Sequence, residues 1–154
     1  MKAAAPFALL LAASMVPGLA QAAPSGAELY SQQCAACHQA DAAGMAGQYP
    51  PLKNRIDKIA ATPEGVHYLS DLLTHGMSGA IEAGGDTYVG YMPAFAQLKD
   101  DEIAAILSWV SGLGDSKPPP VIAAADIAAA RGRTLTAAGV AQERKALAAQ
   151  HPLP

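Results

Sequence analysis

The chain has 154 residues, a length that accommodates one domain with additions at its ends. Aromatic residues make up only 5% of the chain, so a domain of about ninety residues within it would bury little apolar surface. Such a domain would need additional stabilisation, for example from a metal or a disulfide. Between residues 23 and 115, four basic residues stand against eleven acidic ones, a net charge of −7 that argues against nucleic acid as a partner.

The first twenty-two residues have the layout of a secretory signal peptide. Lys2 gives a positive start, an apolar stretch runs from Phe7 to Val16, and Ala20-Gln21-Ala22 is a small-x-small cleavage signal. The apolar stretch is too short to cross a bilayer, and no other long apolar run follows it. We therefore expect export to the periplasm of a mature chain without an integral membrane segment.

The first predicted helix leads into a cysteine motif. Ser25 and Glu28 have the spacing of a capping box, which predicts a helix running to about Cys37. Residues 34 to 38 then form a C-x-x-C-H sequence, the attachment motif of c-type haem. Two thiols at this spacing can each form a thioether with one porphyrin, and His38 then lies under the iron as the proximal ligand. We expect one covalent haem held by Cys34, Cys37 and His38.

Three other interpretations of the two cysteines compete with haem attachment. A structural disulfide is chemically possible in an oxidising compartment. A thiol oxidoreductase also uses C-x-x-C, but in a βαβ setting that this chain lacks. A zinc site needs four ligands, and the chain contains only two cysteines. The export signal and the adjacent histidine favour haem.

The middle of the chain alternates irregular and helical segments. Residues 39 to 53 are rich in Gly, Ala and Pro and predict irregular structure, followed by a short helical piece around residues 54 to 59. Thr62-Pro63 resembles an N-cap with proline at the first helical position, and Gly76 is the expected end of that helix. Residues 79 to 91 are glycine-rich and predict a loop, with at most a small hairpin around residues 82 to 88.

The last part of the chain changes in composition. Three acidic residues from Asp100 favour a helix start, and an apolar stripe continues to Gly112. Residues 116 to 120, with three consecutive prolines, predict a linker. The alanine-rich extension at 121–154 predicts two short helices, and from residue 116 onward five basic residues stand against two acidic ones, a net of +3. We expect it to be dispensable for haem binding, and to fold back on the acidic core, bridge to an acidic partner, or remain a solvated extension.

The second axial ligand of the iron has to come from elsewhere in the chain. Met92 precedes Pro93 in a loop just before the last core helix, and the proline stiffens that loop. Histidines have simpler explanations, such as a surface pair of His67 with Asp71 four residues later. The candidates are Met45, Met77, Met92, His67, His75 and His151.

Taken together, these residues resemble the class I monohaem cytochromes c, in the bacterial branch associated with periplasmic dehydrogenases. The resemblance covers residues 26 to 110. It is carried by residues 26–30, the 34–38 motif, 49–52, His75-Gly76, 87–95, and Leu98 followed by 101–103.

The resemblance implies an all-α class I cytochrome c fold at residues 23–115, with crossed N- and C-terminal helices around one haem. It implies Met92 as the distal ligand and the carbonyl of Pro50 as acceptor of the His38 Nδ1 proton, a bond that orients the ring. It also implies that Gly26 lets the first helix approach the last one closely, near Leu107 and Val110.

The function implied is that of a periplasmic single-electron carrier rather than an enzyme, because two protein ligands leave the iron no open site. Expected partners are a periplasmic dehydrogenase upstream and another cytochrome or a terminal oxidase downstream. One alternative is a permanent electron-transfer subunit of a dehydrogenase complex. The other is a haem enzyme or gas sensor with an open axial site.

Overall fold

A computed structural model describes residues 23–154, so the predicted signal peptide at 1–22 lies outside the described residues. The described part is mostly helical, with one small antiparallel sheet. The elements in chain order are α1 (Gly26–Gln33), α2 (Ala35–His38), α3 (Ile56–Ile59), α4 (Pro63–His75), β1 (Met77–Ala83), β2 (Asp86–Met92), α5 (Asp100–Gly112), α6 (Ala124–Arg131) and α7 (Ala137–Gln150).

The start of α1 confirms the predicted capping box. The Ser25 hydroxyl accepts a hydrogen bond from the Glu28 amide, and the Ser25 amide donates to the Glu28 carboxylate at 2.7 Å. The helix does not continue unbroken to Cys37, however. It ends at Gln33, and Cys34 then serves as the N-terminal flank of the separate turn α2. The haem-attachment motif thus forms a short turn of its own, separate from α1.

The predicted helices in the middle and at the end of the core are confirmed. Thr62 caps α4 by accepting a hydrogen bond from the Gly65 amide at 3.1 Å, with Pro63 at the first helical position. Helix α5 begins at Asp100 with three acidic residues in its first turn, where the helix dipole favours negative charge.

The glycine-rich segment after α4 is a full β-hairpin, longer than the small hairpin expected around residues 82 to 88, and it adds a sheet to a fold expected to be all-α. Strands β1 and β2 pair in register from Met77↔Met92 to Ala83↔Asp86. The turn uses Gly84 and Gly85, both at positive φ, which glycine adopts without strain. Met77 and Met92 therefore lie at the open end of this hairpin, opposite each other. The sequence predicted only a short hairpin within a loop because glycines lie within the strands as well as in the turn.

Helices α1 and α5 approach closely, as expected for Gly26. A Cβ at Gly26 would overlap the carbonyl of Ala105 and lie 2.9 Å from Cβ of Trp109. One turn further along, the rings of Tyr30 and Trp109 are 4.7 Å apart between centroids. At Gly26 itself, the nearest atoms of α5 belong to Ala105 and Trp109. The predicted Leu107 and Val110 line the cleft described below, together with Tyr30 of α1.

The C-terminal extension folds back on the core, which decides between the three alternatives considered for it. Helix α6 packs on α4 and α5, and α7 packs on α4 and β1. Ile127, Val140 and Leu147 from these helices are buried in the same hydrophobic cluster as the core helices. Ion pairs fix the arrangement, with Arg131 on Asp100 and Arg133 on both Asp71 and Glu143.

The Arg133 contact also corrects the expected surface pair of His67 and Asp71. His67 is exposed, whereas Asp71 is 1% exposed and faces the extension. An i,i+4 spacing on α4 placed the two side chains near each other, but tertiary packing buried one of them against a partner 62 residues away.

Among residues 23–154, no helix combines the length and the apolar character needed to span a membrane.

Candidate haem site

The attachment motif presents its three side chains on one short turn. The amides of Cys37 and His38 both donate to the Cys34 carbonyl, at 3.2 and 2.9 Å. Gln39 then takes a positive φ and ends the turn. Cys34 is half-buried, Cys37 is exposed, and both are free thiols. His38 is 8% exposed, so the motif holds its imidazole inward while leaving one cysteine accessible.

The His38 ring is oriented by the segment around Pro50. Its Nδ1 lies 3.0 Å from the Pro50 carbonyl oxygen, the contact expected from the family resemblance. Because a carbonyl only accepts, Nδ1 carries the proton and Nε2 keeps its lone pair. Burial lowers the pKa of His38, which favours the neutral imidazole that binds metals. The imidazole is therefore held in a fixed orientation, with a neutral Nε2 that is able to bind a metal.

A narrow cleft, partly open to solvent, lies beside this histidine. Its lining is predominantly apolar, contains no Asp or Glu, and comes from α1, α3, α4, the hairpin, α5 and α7. The apolar lining residues include Leu52, Ile56, Ile59, Leu69, Leu72, Leu73, Ile81, Ile106, Leu107 and Val110. A flat apolar ring system with a central metal fits this chemistry.

Two of the candidate distal ligands line the cleft. Met77 and Met92 face each other across the hairpin register and both border the cleft that His38 enters. The hydroxyl of Tyr68 donates to the sulfur of Met77 at 3.6 Å. Gly76 lets the end of β2 come close to α4, because a Cβ there would lie 2.7 Å from the Met92 carbonyl oxygen.

The remaining candidates lie away from the cleft. Met45 and His67 are exposed. His75 contacts the Arg133 carbonyl oxygen through Nε2 and the Thr74 hydroxyl through Nδ1, each at 3.0 Å. His151 borders a separate pocket formed by α7 and the chain end. The structure thus reduces six candidates to two methionines.

Two arginines also line the cleft, and neither was predicted from the sequence to be a site residue. Arg55 donates to the main-chain oxygens of Pro51 and Pro154, and Arg144 donates to that of Glu82. Both are buried, and within residues 23–154 neither forms an ion pair with an Asp or Glu side chain. Burial, and secondarily the charge of Arg144, lower the pKa of Arg55 to about 10. Two buried guanidinium groups close enough to affect each other suit an anionic ligand, such as the propionates of haem.

Sequence signals for these arginines differ. Arg55 is one of few basic residues in an acidic region, which could have drawn attention to it. Arg144 gave no such signal, because it lies among other charged residues in a segment without a clear apolar stripe.

The alternatives to haem are weaker in this geometry. Burial first, and then the neighbouring Cys37, raise the pKa of the Cys34 thiol to about 11. A thiol oxidoreductase needs the opposite shift, because the thiolate is the reactive form. Across the described part of the chain, no group of three or more His, Cys, Asp or Glu side chains could hold a metal ion. The motif, the apolar cleft and the two arginines together define a covalent haem protein.

Comparisons with known proteins identify the family. Residues 21–110 match the family model described as cytochrome c oxidase, cbb3-type, subunit III. Cytochrome c-552 of Thermus thermophilus is 40% identical over 142 residues, which cover 90% of this chain and 95% of that protein. The chain therefore belongs to the cytochrome c family, as a monohaem cytochrome of class I with a covalently bound c-type haem.

A more distant similarity extends to a subunit of an enzyme complex. The cytochrome c subunit of a quinone-type alcohol dehydrogenase from Gluconacetobacter polyoxogenes is 27% identical over 116 residues. The match covers 75% of this chain but only 24% of that subunit. These relatives support an electron-carrier role.

Proposed function

We propose that the protein is a periplasmic single-electron carrier whose haem iron is held by His38 and Met92. The observation that carries this proposal is that both side chains border one apolar cleft, His38 from α2 and Met92 from the end of β2. Haem supplies the one-electron redox couple, and a methionine opposite a histidine raises its reduction potential. With both axial positions filled by side chains, the protein binds no substrate at iron and transfers electrons only.

We favour Met92 over Met77 because Met92 precedes Pro93, and the proline stiffens the segment that leads into α5. The family resemblance points to the same residue. The hydrogen bond from Tyr68 to the Met77 sulfur is compatible with either ligand, because a thioether sulfur has two lone pairs and can accept a hydrogen bond while it binds a metal.

The class I arrangement of crossed N- and C-terminal helices is part of the same proposal. It is supported by the close approach of α1 to α5 at Gly26 and by the contact between the tilted rings of Tyr30 and Trp109. Tyr30 also borders the cleft, and its hydroxyl donates to the Gln39 carbonyl at 2.7 Å. The helix contact would therefore brace the turn that carries the attachment motif.

The sequence and the relatives support the proposed location and partners. The signal-peptide pattern at residues 1–22 supports export to the periplasm. The dehydrogenase relative supports a dehydrogenase as electron donor, with another cytochrome or a terminal oxidase as acceptor. Because the match covers a minor part of that relative, we favour a transient carrier over a permanent subunit of such a complex.

Paired methionine variants test the axial ligand. We expect Met92→Ala to keep the covalent haem, to lose the weak far-red absorption band of methionine-ligated ferric haem, and to bind carbon monoxide readily when reduced. Met77→Ala should keep the band and bind carbon monoxide poorly, and the exposed Met45→Ala serves as a neutral control.

Two outcomes would contradict the proposal in different ways. If Met77→Ala loses the band while Met92→Ala keeps it, the ligand is Met77 and the carrier function stands. If the unmodified reduced protein itself binds carbon monoxide rapidly, the iron has an open site, which would indicate a haem enzyme or a gas sensor.

A further inference from the structure

Arg144 occupies an unusual position on the helix that closes the extension. On α7, Val140, Arg144 and Leu147 form a single buried face, and the two apolar residues belong to the hydrophobic cluster. An arginine in the middle of such a face is rare, because burying an unpaired charge costs several kcal/mol. The position therefore requires an explanation other than packing.

The surroundings of Arg144 fix its guanidinium without neutralising it. One nitrogen donates to the Glu82 carbonyl oxygen at 2.7 Å, and the group lies 5.8 Å from the centroid of the Tyr68 ring. Arg131 and Arg133, on the same extension, both pair with carboxylates. Within the described residues Arg144 has no such partner, although it is only 7% exposed.

The cleft that Arg144 borders supplies the missing anion only when the cofactor is present. None of the residues lining the cleft is Asp or Glu. The haem carries two propionate carboxylates, and arginine matches a carboxylate with two parallel N–H donors. Arg55 donates to two main-chain oxygens and has fewer donors left than Arg144.

We propose that Arg144 of the C-terminal extension binds a propionate of the covalent haem. Helix α7 is then part of the haem site, although the sequence predicted an extension that is dispensable for haem binding. The inference rests on the covalent haem alone and is independent of whether Met92 or Met77 ligates the iron.

The test uses the mature holoprotein with isotope-labelled propionate carboxyl carbons. We expect Arg144→Gln to raise the apparent pKa of one propionate by about one unit or more, because a neighbouring cation favours the ionised form. The reduction potential should fall in the same variant, since a positive charge near the haem disfavours the ferric state. Arg144→Lys should fall between wild type and Arg144→Gln. Lys145→Gln removes the same charge from an exposed neighbour and should leave the propionate pKa unchanged.

A direct distance measurement on the wild-type protein covers the case in which the Arg144 variants unfold. Dipolar coupling between labelled arginine side-chain nitrogens and the propionate carbons should show an arginine in contact with a propionate, and Arg55→Lys should leave that contact in place. Equal propionate pKa values in Arg144→Gln, Lys145→Gln and wild type would overturn the inference. So would the absence of any arginine–propionate coupling in wild type, or its loss in Arg55→Lys.

Discussion

Replacing Gly26 by alanine tests how closely helices α1 and α5 approach. Two effects oppose each other at this position. Alanine is the better helix former, by about 0.5–1 kcal/mol relative to glycine. Its Cβ, however, would overlap the Ala105 carbonyl and lie 2.9 Å from the Trp109 Cβ, and a backbone oxygen cannot move aside by rotation. The two helices would have to separate.

The overlap should outweigh the gain in helix propensity. Inserting one methyl group into a tightly packed contact costs about 1–3 kcal/mol, so we expect a net loss of roughly 1–2 kcal/mol from the free energy of unfolding. For a chain of this size, that corresponds to a fall in Tm of about 3–8 °C. Because Tyr30 lies one turn away and borders the cleft, the haem absorption spectrum should also shift slightly.

Denaturant unfolding of the holoprotein, followed by helical circular dichroism, measures the effect. The matched control is Gly112→Ala at the end of α5, where a Cβ would meet nothing within 4 Å. We expect that variant to gain about 0.4–1 kcal/mol. If Gly26→Ala is as stable as wild type or gains as much as the control, the close approach of α1 to α5 is not real.

Three further predictions concern the core and the extension. Burial, followed by the neighbouring Glu143, raises the pKa of Asp71 to about 6, so ionised Asp71 costs stability above that pH and the cost disappears as the pH falls toward 4. As the pH is raised from 4 to 6, the free energy of unfolding of wild type should therefore fall relative to that of Asp71→Asn. A difference between the two proteins that stays constant over this range would contradict the prediction. In a variant that ends at Asp115, the free energy of unfolding should fall by several kcal/mol, because truncation exposes the core surfaces that the extension covers. A melting curve identical to that of wild type would refute this. The double variant Cys34→Ala, Cys37→Ala should show no cooperative melting in calorimetry, since the haem fills much of a small core, and a native-like transition would argue otherwise.

Local signals made the helical core and the attachment motif predictable. The capping box at Ser25, the Thr62-Pro63 start of α4 and the acidic start of α5 each depend on residues a few positions apart. The C-x-x-C-H motif is local for the same reason, since both thiols and the histidine serve one porphyrin face.

Features that depend on distant residues were not predictable in the same way. The sequence predicted the hairpin only around residues 82 to 88, because glycines inside the strands hide the longer pairing until β1 and β2 are aligned. Asp71 is buried by Arg133 rather than paired with its helix neighbour, and Arg144 reaches the cleft from a helix whose buried face contains a charge. Periodicity could not indicate either contact, because each arises from packing between segments about sixty residues apart in sequence.

The position of α7 has a consequence for the order of assembly. The two cysteines lie near the beginning of the folded chain, whereas the helix that covers one side of the cleft lies near its end. In a chain that emerges from its N-terminus, the thiols are exposed well before α7 can pack against β1. Haem attachment at that stage would take place in an open cleft, and the last helix would then pack over a cofactor that is already bound.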